Sequence, residues 1–148
     1  IFGIGVLIRV WAQIHLHYRL KIHKILTTTG PYIYVRNPIY IANTIMLLGT
    51  TVLSELIWFL PVMFLWCIVI YSFVIRREEI HLLGKYGNPY SEYLRTTPRW
   101  IPAAGRINEK YSTQNQMTRF LWPSILAEVH CLLWLIPLIA KEILSTQY

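Results

Sequence analysis

The sequence predicts an all-α protein, a polytopic bundle of transmembrane helices. Three observations lead there. The chain of 148 residues is 55% hydrophobic but only 14% charged, against about 25% charged in an ordinary soluble domain. Its mean hydropathy is +0.41. The charge deficit is concentrated: Leu56 to Ile75, LIWFLPVMFLWCIVIYSFVI, is twenty residues without a charge. That length meets the roughly 20 apolar residues needed to cross a hydrocarbon core about 30 Å thick. A buried core helix of a soluble protein is the competing reading, and it rarely stays uncharged so long.

Four spans are expected in one domain covering residues 1–148. The first covers about 1–17, with Ile1 rather than Met at its start, so an upstream piece is expected to have been processed or to be missing. Arg9 interrupts this stretch and no small-residue cleavage site follows, which argues against a signal peptide. The second span covers 39–53, with Asn43 as its strongly polar member, and the third covers 56–75. Ser54-Glu55 is the polar break between them, so these two form a tight helical hairpin; irregular backbone facing lipid would leave its polar groups unsatisfied. The fourth covers about 120–140 and carries Glu128 and His130. Pro61 and Pro123 fall near helix starts, where proline is tolerated. Pro137 falls deeper and predicts a kink. Between the third and fourth spans, Asn88-Pro89 predicts a helix start with Asn as N-cap. The Tyr90, Tyr93, Leu94 face of that short helix is expected at the membrane interface, where tyrosine is favoured.

The hairpin sets sidedness. Segments 19–36 and 76–119 fall on one side and hold twelve of the fourteen Lys and Arg residues, while the hairpin turn holds none. The positive-inside rule places that side in the cytoplasm. Topology accounts for the basic excess, so nucleic acid is not an expected partner; the partners are the bilayer and its anionic headgroups. Cys67 and Cys131 sit in apolar runs and read as packing residues. His15, His17, His23 and His81 lack ligand spacing, so no metal site is expected.

Chemistry concentrates at the two basic-side ends of the hairpin. Thr29 to Tyr40, TGPYIYVRNPIY, has two prolines and a glycine that forbid a continuous helix and favour a defined turn. Arg76-Arg77-Glu78-Glu79 stands where the third span leaves the membrane. A carboxylate pair at a helix C-terminus opposes the macrodipole, so it calls for compensation by Arg36, Arg76 and Arg77 or by a cationic ligand. The bland alternatives are snorkelling for Arg36, an aromatic belt for Tyr32, Tyr34 and Tyr40, and stop-transfer charges for Arg76 and Arg77.

TGPYIYVRNPIYIAN, a hydrophobic hairpin, and then EEIHLLGKYGNPYSEYLRTTPRWIP together resemble the isoprenylcysteine carboxyl methyltransferase and phospholipid methyltransferase superfamily. The motif core runs over 24–102. The resemblance implies an integral-membrane enzyme with a cytoplasmic pocket for S-adenosylmethionine, built from loops and helix ends. It implies cofactor contacts from His17, Lys24, Ile25, Leu26, Thr27, Tyr32, Arg36, Asn37, Pro38, Ile39, Tyr40, Glu78 and Glu79. The catalytic role falls on Glu78 with Arg77. Asn37 stands where the family often has His, and an amide cannot titrate near neutral pH. Val74 stands where members acting on a prenylcysteine carboxylate tend to have Arg, which removes the main pointer to a carboxylate acceptor. The implied reaction is methyl transfer to a lipidic or hydrophobic acceptor. Two alternatives remain: an NADPH-dependent reductase resembling sterol reductases, whose Gly-Glu is here replaced by Ala42-Asn43, and a non-catalytic membrane scaffold.

Overall fold

The computed structural model describes residues 1–18, 26–102, 121–133 and 136–145. Every regular element among them is helical: α1 (Phe2–Tyr18), a 3-10 turn (Gly30–Ile33), α2 (Pro38–Leu53), a second 3-10 turn (Ile57–Phe59), α3 (Leu60–Tyr86), α4 (Asn88–Thr96), α5 (Leu121–Leu133) and α6 (Ile136–Ser145).

The tightest pairing is α1 against α2, and small residues create it. A Cβ on Gly49 would come within 2.6 Å of the Phe2 nitrogen, and one on Gly5 within 2.9 Å of the Ala42 carbonyl. Ala12 and Ala42 are fully buried in the same seam. Backbones approach this closely only where side chains are absent or small, which is how helices associate in lipid. The hydroxyls of Thr44, Thr50, Thr51 and Ser54 donate to the carbonyls four residues back, at 2.9 to 3.0 Å. Polar side chains on an apolar helix are thereby satisfied within the helix itself.

The hairpin turn closes α2 with paired hydrogen bonds from Leu56 N–H to the Thr51 carbonyl and from Glu55 N–H to the Val52 carbonyl, 3.2 and 3.0 Å. This is the Schellman arrangement, with Glu55 at φ 61° in the position glycine usually takes. The 3-10 turn and α3 form the described segment long and apolar enough to cross a bilayer, and its most apolar window is only 6% buried. A soluble core helix would be enclosed. Instead Phe64, Leu65, Trp66, Val69 and Phe73 stand exposed, an apolar surface of the kind that marks contact with lipid or a partner. Phe2–Leu16 and Pro38–Leu53 are shorter apolar helices.

Two expectations are corrected. The third helix does not stop with its apolar run at Ile75; it continues to Tyr86. Its 27 residues extend about 40 Å, longer than a hydrocarbon core about 30 Å thick. Glu78 and Glu79 therefore lie two turns inside the helix, not at its C-terminus, and the dipole conflict does not arise. The described parts of the fourth expected span are helical, Leu121–Leu133 and Ile136–Ser145; residues 134 and 135 between them lie outside the described residues, and the kink expected there with them. Finally, α4 is capped by Gly87 rather than by Asn88. Gly87 (φ 60°, ψ −130°) ends α3 and starts α4 in a conformation that side-chain-bearing residues rarely adopt.

Candidate active site

The first motif folds as its composition requires. Gly30, at φ 62°, lies against the ring of His15, where a Cβ would sit 2.4 Å from Nε2. Pro31 enters the 3-10 turn and Pro38 begins α2, both at positions where the missing N–H costs nothing. His15 is buried and its Nδ1 donates to the Trp11 carbonyl at 3.0 Å. The turn is thus seated on α1.

Helix α4 packs over the turn. Tyr93 Oη donates to the Tyr32 carbonyl at 2.8 Å, and Arg36 N–H donates to the Pro98 carbonyl at 2.9 Å. Tyr90 and Tyr93 are 3% and 9% exposed, so the tyrosine face expected at the membrane interface is turned inward instead. Burial pushes the Tyr90 phenol up to about 12, Glu79 adding to it. Burial likewise raises the Tyr32 and Tyr93 phenols far above their ordinary range, with Tyr93 adding to the first and Tyr90 to the second.

The two glutamates do different work. Glu79 accepts from Arg36 Nη1 at 2.8 Å and pairs with Arg99, whose Nε also lies 3.3 Å from it. Arg36 Nε donates to the Thr97 carbonyl at 2.6 Å. This knot ties the first motif, α3 and the segment after α4 together. One position earlier, Glu78 points elsewhere and accepts from Tyr40 Oη at 3.0 Å. Tyr40 in turn packs against Tyr71, the rings tilted at 40° with centroids 5.1 Å apart.

Between these elements lies a cavity of about 230 Å³. Of the residues the sequence pointed to, Leu26, Thr27, Tyr32, Arg36, Asn37, Pro38, Ile39, Tyr40 and Glu78 line it. Arg77 does not: it is exposed on another side of α3. Glu79 does not either, being held by its two arginines. Lys24 and Ile25 lie outside the described residues, as does the side chain of His17. Leu16, Leu82, Tyr86, Tyr90 and Tyr93 complete the wall and were not expected there. A signal for two of them existed: Glu78, Leu82 and Tyr86 recur every four residues, one face of a helix.

Seven buried side-chain polar atoms among the described residues have no hydrogen-bond partner, and three belong to cavity residues: Thr27 Oγ1, Asn37 Nδ2 and Tyr86 Oη. Buried polar groups are normally paired; these three are not. The donors and acceptors suit S-adenosylmethionine. The Glu78 carboxylate matches an ammonium or ribose hydroxyl, Asn37 Nδ2 matches an acceptor atom, and tyrosine faces favour a sulfonium cation.

The phospholipid methyltransferase family pattern matches residues 2–89, in agreement with the resemblance carried by the motifs. The chain is 32% identical over 94 residues to the nickel-cobalt-cadmium resistance protein NccN of Alcaligenes xylosoxydans xylosoxydans, covering 64% of this chain and 43% of that one. It is 31% identical over 94 residues to the cobalt-zinc-cadmium resistance protein CzcN of Cupriavidus metallidurans, covering 64% and 42%. The matched stretch therefore spans less than half of either relative. No solved structure matches.

Proposed function

Because the chain belongs to the phospholipid methyltransferase family, we propose that it transfers a methyl group from S-adenosylmethionine to a lipidic acceptor at the membrane interface. The observation that carries this is the orphan-lined cavity between Tyr32, Asn37, Tyr40 and Glu78, beside an exposed apolar helix. When bound, S-adenosylmethionine supplies an electrophilic sulfonium methyl. Displacement at that carbon needs alignment and exclusion of water more than a strong base. Glu78, held by Tyr40, binds a cationic or hydroxyl part of the cofactor; Asn37 donates to an acceptor atom; and Tyr32, Tyr90 and Tyr93 keep the pocket dry and aromatic. Arg36 acts from the cavity wall while anchored by Glu79. Its guanidinium lends positive potential for a carboxylate group without leaving the knot.

In this reading the chain is a multi-pass membrane protein, with 19–36 and 76–119 on the cytoplasmic side. The acceptor reaches the pocket sideways from the bilayer. The relatives' names speak of metal resistance; the reaction proposed here requires no resident metal.

Calorimetric titration of the purified protein in detergent with S-adenosylmethionine and with NADPH tests this directly. Binding of S-adenosylmethionine is expected. Binding of NADPH alone would sink the methyltransferase reading, and binding of neither by folded protein would favour a scaffold. Glu78→Gln is expected to lower cofactor affinity and methyl transfer at least about tenfold, a loss of roughly 1.4 kcal/mol or more, with an unchanged unfolding temperature. Full activity in that variant removes Glu78 from the mechanism.

A further inference from the structure

Among the described residues, two charged side chains line the cofactor cavity, Arg36 and Glu78. Arg36 reaches Glu79 through Nη1 at 2.8 Å and gives Nε to the Thr97 carbonyl. Arg99 engages both oxygens of the same carboxylate, with Nε 3.3 Å from Oε1 and Nη2 on Oε2. Such two-pronged pairing is the stronger mode between a guanidinium and a carboxylate, so Arg99 is the main counter-ion of Glu79. Its place is fixed by the backbone: Arg36 N–H donates to the carbonyl of Pro98, the residue before it. Arg99 does not line the cavity, and it lies beyond residue 89, where the family pattern ends.

The charges of this knot do not cancel. Two guanidiniums and one carboxylate leave one net positive charge at the cavity wall. Without Arg99, Glu79 would neutralise Arg36, and Glu78 would be the uncompensated charge of the cavity. The side chains of Arg36 and Glu79 are 16% and 12% exposed, so solvent ions screen them less than a surface pair. The charge of Arg99 is also felt in the wall. Burial, then Glu79, pushes the Tyr90 phenol up to about 12, while Arg36 and Arg99 both pull it down. We propose that Arg99, acting through Glu79, keeps Arg36 as a positive pole of the cavity beside the negative Glu78, so that the cavity selects a guest whose end carries both an ammonium and a carboxylate. A cavity charged by Glu78 alone would hold the ammonium and repel the carboxylate. Arg99 is thus a positioning residue: it meets no part of the guest and sets the charge that Arg36 presents. This rests on the methyl-transfer reading, in which the guest is the amino-acid end of S-adenosylmethionine.

The test titrates the full chain in detergent with S-adenosylmethionine and with decarboxylated S-adenosylmethionine, which keeps the sulfonium and the ammonium but lacks the carboxylate. The wild-type protein is expected to prefer S-adenosylmethionine. Arg99→Gln should weaken S-adenosylmethionine about tenfold (roughly 1.4 kcal/mol) and leave the decarboxylated compound bound as tightly or more so. Arg99→Lys should keep the wild-type preference, because it keeps the charge. In the double variant Arg99→Gln, Glu79→Gln the knot again carries one positive charge, from Arg36, and the preference should return. A merely structural role for Arg99 predicts otherwise: both compounds weaken together in Arg99→Gln, and the double variant is worse. Either result overturns the proposal, as does unchanged S-adenosylmethionine affinity in Arg99→Gln. If Arg99→Gln does not fold, Glu79→Gln and the double variant decide, since they differ only at Arg99. The preference should be wider in Glu79→Gln, and an equal or narrower one overturns the proposal. Wild-type protein that binds neither compound sinks the methyl-transfer reading and this proposal with it. Wild-type binding of S-adenosylmethionine that Arg99→Gln leaves intact sinks this proposal alone.

Discussion

At the scale of single residues, adjacent glutamates have separate fates. Glu78 faces the cavity with Tyr40, whereas Glu79 is clamped by Arg36 and Arg99. Successive positions on a helix differ by about 100°, so one local motif serves two neighbourhoods. Glu79→Gln removes the charge that two guanidiniums face, and a hydrogen bond to a charged group is worth about 1.5–3 kcal/mol. A fall in stability of that size is expected by chemical denaturation, whereas Glu78→Gln should leave stability unchanged. The buried tyrosines give a pH signature. Folded-state phenols are raised above their unfolded value of about 10, Tyr90 to about 12 and Tyr32 and Tyr93 further. The stability linked to them is intact below pH about 10 and is lost as pH climbs through the folded values, because the unfolded chain ionises first. Thermal unfolding measured between pH 8 and pH 12 should therefore show a steep fall above about 10. Tyr93→Phe should make that fall shallower.

At the scale of elements, close approach matters more than propensity. Glycine inside a helix is about 1 kcal/mol worse than alanine, so Gly49→Ala on propensity alone would stabilise α2. The structure predicts the opposite sign, because the new Cβ would press on the Phe2 backbone at 2.6 to 2.8 Å. Overpacking of this kind costs about 1–3 kcal/mol. A lower unfolding temperature for Gly49→Ala is the expected result, and a higher one would show that α1 and α2 are not in backbone contact. Many of these elements were legible beforehand. Gly30, Pro31 and Pro38 announced the turn and the start of α2, and Ser54-Glu55 announced the hairpin. The extension of α3 to Tyr86 was not legible from hydropathy, which stops at Ile75. A helix leaving a membrane keeps its backbone hydrogen bonds while changing its side chains, so hydropathy marks the boundary of the apolar phase and not the end of the helix.

At the scale of the whole molecule, the exposed apolar surface of α3 and the distribution of basic residues make a topological prediction. With α2 and α3 as a hairpin, the turn at Ser54 and the helix carrying Arg95 belong on opposite faces of the membrane. Single cysteines at Ser54 and Arg95, in a background with Cys67 and Cys131 replaced, should react with a membrane-impermeant maleimide from opposite sides of sealed vesicles, Arg95→Cys from the cytoplasmic one. Labelling of both from one side would rule out a membrane-crossing hairpin.

By itself the sequence determined that this chain is helical and that its long apolar segment suits a bilayer; that Tyr32, Asn37, Tyr40 and Glu78 share one site was an expectation carried by the family its motifs resemble. The first two follow from composition, periodicity and local turn chemistry, which are encoded within a few turns of chain. Only the tertiary structure decided that Glu79 is a structural anchor, that Arg77 stays outside the cavity, that Tyr90 and Tyr93 close the wall, and that Arg9 meets Glu128. Each of those depends on which helix faces which across dozens of residues. The facing is set by the summed packing of small residues such as Gly5 and Gly49 and by the need to pair buried polar atoms, neither of which a local pattern contains.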